Sequence, residues 1–151
     1  RKKGLRETKW NGRLTIIHRD PLFIVDGAHN PAAADMLEDS VRKYFKGRNM
    51  YFIMGVFRDK DYSYIIRKLC PYAEQIVTIE TPDNPRARPA QELAEAVREC
   101  NPHVQAAENI QDAVNKVFAM ADREDVILSF GSLSFIGEIT TIVKNREEKN
   151  L

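Results

Sequence analysis

Short runs of mostly apolar residues recur along the chain. Such runs are typical of buried strands. They cover residues 14–17, 22–25, 50–56, 76–79, 103–107 and 126–130, of which 103–107 is the weakest. Arg19-Asp20-Pro21 is a turn-forming stretch between the first two runs, which are therefore predicted to pair as a hairpin.

The stretches between these runs carry apolar residues at the three- and four-residue spacing of a helix. Asn30-Pro31 predicts the start of the first helix, because Asn is a favoured N-cap and Pro a favoured first helical residue. Gly47 predicts its end. The charged segment 144–150 predicts a frayed tail. The helical stripes are Leu37, Val41, Tyr44 and Phe45; Tyr62, Ile65, Ile66 and Leu69; Ala90, Leu93, Ala94 and Val97; Ile110, Ala113, Val114, Val117, Phe118 and Ala121; and Ile136, Ile139 and Val143.

Strands that alternate with helices predict βα units and a mainly parallel sheet covered on both faces. The fold class is therefore α/β: a three-layer α/β/α sandwich with about six strands, mostly parallel. The first strand is expected to be antiparallel because of the hairpin. A length of 151 residues is typical of one domain.

Composition narrows the function classes. The chain is 43% hydrophobic and 30% charged, as in an ordinary globular protein. Its formal net charge of +1 gives no electrostatic case for binding nucleic acid or an anionic membrane. No apolar run approaches the roughly 18 residues that span a bilayer. Cys70 and Cys100 form no CxxC pair, and we expect reduced thiols in a cytoplasmic protein.

Polar residues gather where the strands are predicted to end. In an open parallel sheet, ligands bind at the carboxyl ends of the strands, where the following helix N-termini favour anions. Asp26 could bind a ribose or a cation, act as a base, or brace its own loop. His29 could position a carboxylate or phosphate, shuttle a proton, or be structural. His103, within a strand-like run, is expected to be structural.

Other strand ends carry weaker candidates. Ser132, after Gly131, could hold a carboxylate or serve only as an N-cap. Arg86 and Arg88 could contact an acidic substrate or be solvated. Asp59 fits either a ligand contact or a salt-bridged turn.

Several nucleotide and catalytic motifs are absent from the sequence. It contains no GxxxxGK[ST], no GxGxxG after a strand, no GxSxG and no zinc-spaced cluster. We therefore predict no metal site in this chain. If the domain takes part in phosphoryl chemistry, another domain must hold the phosphates.

An ordered set of segments resembles the C-terminal domain of Mur-type ATP-dependent ligases. Within that superfamily the form Asp-Gly-Ala-His-Asn-Pro, at residues 26–31, resembles folylpolyglutamate synthase, including the bifunctional dihydrofolate synthase. The segments that match in order are Trp10, Gly12-Arg13-Leu14, residues 26–31, Gly55-Val56 with Asp59-Lys60-Asp61, Pro85-Arg86-Ala87 and Gly131-Ser132-Leu133.

The resemblance implies an amide ligation in folate biosynthesis and one-carbon metabolism. ATP would phosphorylate a folate carboxylate, and the amine of glutamate would attack the acyl phosphate. The implied partners are ATP, Mg²⁺, L-glutamate and tetrahydrofolate or dihydropteroate. A parent enzyme of this family is expected to be a cytoplasmic monomer.

The resemblance also implies a division of labour between domains. A P-loop ATPase domain would hold most of the ATP and the Mg²⁺, and a linker would join it to a Rossmann-like C-terminal domain. Residues 1–12 would be the linker and residues 13–151 the C-terminal domain. Alone, the chain is expected to be inactive.

Residue roles follow from the same resemblance. Arg13 would reach an ATP phosphate, and Asp26 would bind the nucleotide through its ribose. His29 would act at the catalytic centre by placing the glutamate or the acyl phosphate, and Ser132 would hold a glutamate carboxylate. Arg86 and Asp59 are weaker candidates for ligand contact.

Three other functions stay open at this point. A cell-wall Mur ligase, which adds an amino acid to a UDP-muramoyl peptide, shares the architecture. A non-catalytic module could bind a nucleotide or an acidic metabolite. A structural interaction domain is a third option, although it would not need polar loops at one sheet edge.

Overall fold

The computed structural model describes residues 8–10, 14–56, 62–81, 85 and 87–149. The strands are β1 Thr8–Trp10, β2 Leu14–His18, β3 Leu22–Val25, β4 Met50–Met54, β5 Ala73–Thr78, β6 Val104–Ala106 and β7 Val126–Phe130. The helices are α1 Pro31–Tyr44, α2 Tyr62–Leu69, α3 Ala90–Arg98, α4 Ile110–Met120 and α5 Ile136–Lys149. Two 3₁₀ turns, Cys70–Tyr72 and Leu133–Phe135, precede β5 and α5.

All of these strands belong to one sheet, in the order β1-β2-β3-β7-β4-β5-β6. The pairs β1–β2 and β2–β3 are antiparallel. The strands from β3 across to β6 pair in parallel. The carboxyl ends of these five parallel strands therefore share one edge of the sheet, which we call the carboxyl edge; the opposite one is the amino edge.

Helices cover both faces of the sheet. Apolar side chains of α1, α2 and α3 pack on one face, together with the side chains of β3, β4 and β7 that point to that side. Side chains of α4 and α5 pack on the other face. Side chains along β7 alternate between the two faces of the sheet, with Leu128 on one face and Ile127 on the other, as the two-residue period of a strand requires. The three-layer α/β/α prediction is confirmed.

The structure adds one strand to the predicted set. Thr8–Trp10 pairs with β2, with Lys9 opposite Thr15, inside the segment that the sequence assigned to a linker. A three-residue edge strand is held by backbone hydrogen bonds and needs no apolar run, so hydrophobic patterning did not detect it. The other residues of that segment lie outside the described residues.

The prediction of a frayed tail from residue 144 is wrong, because α5 continues to Lys149. The guanidinium of Arg146 lies 4.5 Å from the centre of the Phe118 ring, and its Nη1 donates to Asn115 Oδ1 at 3.2 Å. Glu147 Oε2 lies 3.6 Å from His18 Nε2. These contacts with α4 and β2 hold the last turns of the helix.

Two further sequence expectations concern cysteines and membranes. Cys70 is buried and Cys100 exposed, and neither forms a disulfide, as predicted. Burial raises the pKa of the Cys70 thiol, which keeps it protonated. Among the described residues, no helix has the length and apolar character to cross a bilayer.

Candidate functional site at the carboxyl edge

Asp26 directly follows β3 and holds the shape of the next loop. Its backbone N–H donates to the carbonyl of Ser129 at 2.9 Å, which extends the pairing of β3 with β7. Its Oδ2 accepts the N–H of Ala28 at 3.0 Å. Asp26 is half-buried. Its carboxylate therefore braces the loop and also places negative charge at the carboxyl edge.

His29 is held by a contact within the same loop. Its Nδ1 lies 2.8 Å from the carbonyl oxygen of Gly27. Because a carbonyl can only accept, Nδ1 carries a proton in this arrangement. In a neutral, half-buried ring with this tautomer, Nε2 is the hydrogen-bond acceptor, the atom that a general base or an amine-positioning group requires.

Asn30 and Pro31 start α1 as the sequence predicts. Asn30 has an extended backbone, and its Oδ1 accepts the N–H of Ala33 at 2.9 Å. Its carbonyl accepts the N–H of Ala34 at 2.9 Å. The segment of residues 26–31 thus joins a strand end to a helix N-terminus and leaves His29 between them.

The turn after β7 is the second part of the site. Ser132 has an extended backbone, and its Oγ accepts the N–H of Ser134 at 3.2 Å. The two hydroxyl oxygens also lie 2.7 Å apart. Ser132 is only 3% exposed, whereas Ser134 is exposed. Ser132 is therefore the predicted cap, but of the 3₁₀ turn that leads into α5.

Ser134 is a candidate site residue that sequence reasoning missed. Its hydroxyl is the exposed member of the pair that it forms with Ser132. The only signal in the sequence was a second serine in Gly-Ser-Leu-Ser, at residues 131–134. Nothing in that spacing says which serine faces solvent, because the 3₁₀ turn decides it.

Close packing brings the two loops together. A Cβ built on Gly27 would lie 2.4 Å from Leu133 Cδ2, so Leu133 rests where a side chain on residue 27 would be. Leu133 is nonetheless 67% exposed. The large apolar side chain of Leu133 is therefore exposed to solvent between the loop of His29 and the turn of Ser132.

Gly55, directly after β4, packs equally tightly against the turn that follows β7. Gly131 has a φ of +115°, and a Cβ there would lie 2.1 Å from the carbonyl oxygen of Gly55. The N–H of Gly55 lies 3.4 Å from the carbonyl oxygen of Phe130. Only glycine fits both the conformation and the space at position 131.

Arg88 lies beside the ends of β4 and β5. Its guanidinium lies 3.9 Å from the centre of the Tyr62 ring, and it pairs with Glu92. Its backbone N–H donates to the carbonyl of Val56 at 3.1 Å. The side chain is 12% exposed, so Arg88 is mostly covered rather than solvated.

The hydroxyl oxygens of Thr81 and Ser129 are buried and have no hydrogen-bond partner among the residues that the structure describes. Thr81 follows β5 close to the carboxyl edge, whereas Ser129 lies within β7. Neither residue was singled out from the sequence, because burial of a hydroxyl without a partner is visible only in the fold.

Three predicted residues, Arg13, Asp59 and Arg86, lie outside the described residues. Within the described ranges, no three His, Cys, Asp or Glu side chains cluster in a way that could hold a metal ion. The other predicted residues Asp26, His29 and Ser132 are described, and they lie at the carboxyl edge of the sheet.

The arrangement offers complementary groups at one edge. A carboxylate at Asp26 can accept hydrogen bonds from hydroxyl groups, and Nε2 of a neutral His29 ring can accept one from an amine. The N-terminus of α5, preceded by Ser132, favours an anion such as a carboxylate. These groups suit a ligand with hydroxyl, amine and carboxylate groups.

A family comparison decides the relationship. Residues 12–133 match the model of the family described as "Mur ligase, glutamate ligase domain". The chain belongs to this family.

Individual Mur ligase relatives agree with the family match. The chain is 29% identical over 140 residues to a probable bifunctional folylpolyglutamate synthase/dihydropteroate synthase of Haloferax volcanii, and 27% identical over 143 residues to the dihydrofolate synthase/folylpolyglutamate synthase of Bacillus subtilis. These alignments cover 92% and 95% of the chain. The chain spans only 16% and 33% of the length of these relatives.

A solved structure supports the Mur ligase fold. E. coli FolC, in complex with DHPP and ADP, matches with a TM-score of 0.80 at 24% sequence identity. The match covers 91% of this chain and 32% of that one. The α/β/α architecture of this chain is therefore that of the corresponding part of FolC.

Proposed function

We propose that this chain is the C-terminal domain of an ATP-dependent folylpolyglutamate synthase, which joins L-glutamate to a folate. The observation that carries the proposal is the meeting of the Asp26–Pro31 loop and the Gly131–Leu133 turn at one edge of the sheet. Two relatives that align with more than nine tenths of the chain carry the folylpolyglutamate synthase name.

The chemistry begins with a folate carboxylate that ATP activates as an acyl phosphate. The amine of glutamate then attacks the acyl carbon, the C–N bond forms, and the bond to phosphate breaks. Attack requires a neutral amine aimed at the carbonyl, so positioning supplies much of the rate. This domain would supply the positioning of the amino acid.

His29 is the residue we assign to the amine. Its Nδ1 is engaged by the carbonyl of Gly27, so Nε2 can accept a hydrogen bond from the ammonium or amine of glutamate. That contact would orient the nitrogen lone pair and take up a proton as the amide forms. The fixed ring orientation makes the contact directional.

Ser132 and the N-terminal end of α5 are assigned to a glutamate carboxylate. Backbone N–H groups at a helix start, together with a hydroxyl, suit a carboxylate. Because Ser132 is 3% exposed and bonded to Ser134, the hydroxyl of Ser134 would share this contact.

Asp26 is assigned to the nucleotide, through the ribose hydroxyls, and Arg13 to an ATP phosphate. The Ala28 N–H holds one oxygen of the Asp26 carboxylate in place, which fixes the group for hydrogen bonding. Because the described residues form no metal-binding cluster, Mg²⁺ and most of the triphosphate contacts belong to an ATPase domain in our proposal. Residues 1–12, of which Thr8–Trp10 also pair with β2 in this sheet, would lead to it, and the enzyme would act as a monomer in the cytoplasm.

The test uses the full reading frame that contains this domain. Purified protein is incubated with ATP, Mg²⁺, tetrahydrofolate and L-glutamate, and phosphate release is followed. The proposal expects release that requires both folate and glutamate, with a folate product one glutamate heavier. Release that requires a UDP-muramoyl peptide instead would identify a cell-wall ligase and overturn the folate assignment.

The 151-residue chain alone is a second arm of the same test. We expect no glutamate-dependent ATP hydrolysis from it, because it contains no GxxxxGK[ST] sequence. Hydrolysis by the isolated chain would contradict the division of labour between two domains.

A further inference from the structure

The amino edge of the sheet carries a cavity that the proposed ligase reaction does not use. Its volume is about 590 Å³, which falls within the roughly 300–1,000 Å³ of small-molecule sites. It lies where α1 leads into β4 and where the 3₁₀ turn Cys70–Tyr72 leads into β5. It is therefore at the opposite end of the strands from Asp26 and Ser132.

The base of this amino-edge cavity is apolar. Val41, Phe45 and Met50 contribute to its lining, and each is 2% exposed within the core. The ring of Tyr72 forms part of the wall and is half-buried. A ligand that enters the cavity therefore meets the ring of Tyr72, because Val41, Phe45 and Met50 lie almost fully covered beneath the surface.

A hydrogen bond holds the side chain of Tyr72 in place. Its hydroxyl donates to Glu38 Oε2 at 2.7 Å, and Lys68 Nζ lies 3.0 Å from Glu38 Oε1. The carboxylate of Glu38 is thus engaged by two partners. A fixed ring loses little conformational freedom when a second ring packs against it.

The rim of the cavity is cationic. Among the described residues of the lining, four exposed side chains are basic and Asp39 is the single carboxylate. Arg42 Nη2 lies 3.9 Å from Asp39 Oδ1, and both side chains are more than 60% exposed, so this pair is weak. The basic residues of the rim are Arg42, Lys43, Lys46 and Arg48.

Arg48 is the most firmly placed of these cations. Its Nη2 and Nε donate to the carbonyl of Glu124 at 2.6 and 3.1 Å. Arg48 also borders a neighbouring cavity of about 490 Å³. A guanidinium held in this way offers a planar charge without further loss of side-chain freedom.

We propose that this cavity binds an aromatic anion, namely a ring system that carries a carboxylate, sulfonate or phosphate. The ring packs on Tyr72, and the anionic group meets the cations of the rim, above all Arg48 and Lys46. A small inorganic anion would make no use of the Tyr72 ring. The inference is independent of the ligase proposal.

The test is an NMR titration of the isotope-labelled 151-residue chain. The probe is anilinonaphthalene sulfonate, an aromatic anion, and methanesulfonate is the matched anion without a ring. We expect amide shifts confined to residues 39–50 and Tyr72, with a Kd on the order of 100 μM. Methanesulfonate should bind at least about tenfold more weakly.

A pair of variants isolates the charge of the rim. Lys46→Glu reverses one rim charge and should weaken binding by at least about fivefold. Lys149→Glu makes the same change in net charge on α5, which packs on the other face of the sheet, and should bind as the parent chain does. Retained amide dispersion shows that each variant is folded.

Three results would overturn the inference. The first is amide shifts that fall outside the cavity, or none at all. The second is equal binding of methanesulfonate. The third is equal weakening by the Lys46 and Lys149 substitutions, since that would reduce the effect to net charge.

Discussion

Gly131 and Gly55 meet so closely that a methyl group on Gly131 would lie 2.1 Å from the carbonyl oxygen of Gly55. This contact joins the ends of β7 and β4, the two central neighbours in the parallel sheet. It sets the path of the chain into Ser132 and the start of α5. The position of the site therefore depends on a packing relationship between two backbones, not on the side chains that would touch a ligand.

Gly131→Ala should strongly destabilise the folded domain. The φ of +115° is unfavourable for alanine, and the backbone of Gly55 cannot yield without disturbing β4. We expect a loss of at least about 3 kcal/mol in the free energy of unfolding. Urea titration followed by circular dichroism measures it.

The matched control is Gly47→Ala. Gly47 also has a positive φ, +84°, but an added Cβ would meet nothing within 4 Å. This variant should lose only about 1 kcal/mol. Equal losses for the two variants would show that the close contact at Gly55 contributes nothing.

Asn101 should be a major source of stability although it lies far from the site. Its Nδ2 donates at 2.9 Å to the carbonyls of Cys70 and Ala73, and its Oδ1 accepts the N–H of His103 at 2.9 Å. It is 6% exposed. Asn101→Ala removes all three of these hydrogen bonds, although the Cys70 carbonyl still accepts the N–H of Ala73, and we expect a loss of roughly 2–3 kcal/mol.

Asn49→Ala serves as the comparison for Asn101, because Asn49 is exposed. It should change the free energy of unfolding by less than about 0.5 kcal/mol. A loss for Asn101→Ala as small as that would mean that water replaces the three hydrogen bonds.

Glu38 should make stability depend on pH in the acid range. The hydrogen bond from Tyr72, and next the one from Lys68, hold the pKa of Glu38 below its ordinary value. The ionised form therefore stabilises the fold above the unfolded-state pKa of about 4.3, and this contribution is lost as the pH falls through the lower folded-state pKa.

Glu38→Gln should consequently be less stable than the parent chain at neutral pH, by no more than about 1 kcal/mol, because the network lies near the surface. The difference should shrink toward zero as the pH falls through the acid range. Urea titrations across that range measure it, with Glu95→Gln, an exposed position on α3, as the control. A difference that stays constant with pH would contradict an electrostatic origin.

Ser132→Ala should weaken glutamate use in the full-length enzyme if our functional proposal holds. We expect the KM for glutamate to rise by at least about tenfold, since a hydrogen bond to a charged group is lost, and the KM for ATP to stay unchanged. Steady-state phosphate release measures both constants. Ser134→Ala is the comparison, and a larger effect there would move the carboxylate contact to the exposed hydroxyl.

Hydrophobic patterning predicted most of the fold because most elements bury a face. The run at 126–130 and the stripe at Ile139 and Val143 lie where the sequence placed them. Patterning failed for β1 and for the end of α5, whose residues are held by backbone pairing and by surface contacts of Arg146. Hydrophobic patterning could not predict the strand order, because β7 lies between β3 and β4 through long-range packing.

The site was predictable in its residue types and not in its geometry. Segment order and a family resemblance pointed to Asp26, His29 and Ser132, and the structure brings these residues to one edge. The sequence could not predict that Ser132 is buried and Ser134 exposed, because the 3₁₀ turn determines which serine faces solvent. The exposure of Leu133 over Gly27 is likewise a product of the packing of two loops.

The central claim is that the carboxyl edge places glutamate for amide formation, and His29 tests it most directly. In the full-length enzyme, His29→Ala is compared with His103→Ala, which removes an exposed histidine next to β6. We predict that glutamate- and folate-dependent phosphate release falls at least about tenfold for His29→Ala and is unchanged for His103→Ala. Full activity of a folded His29→Ala enzyme would contradict the account.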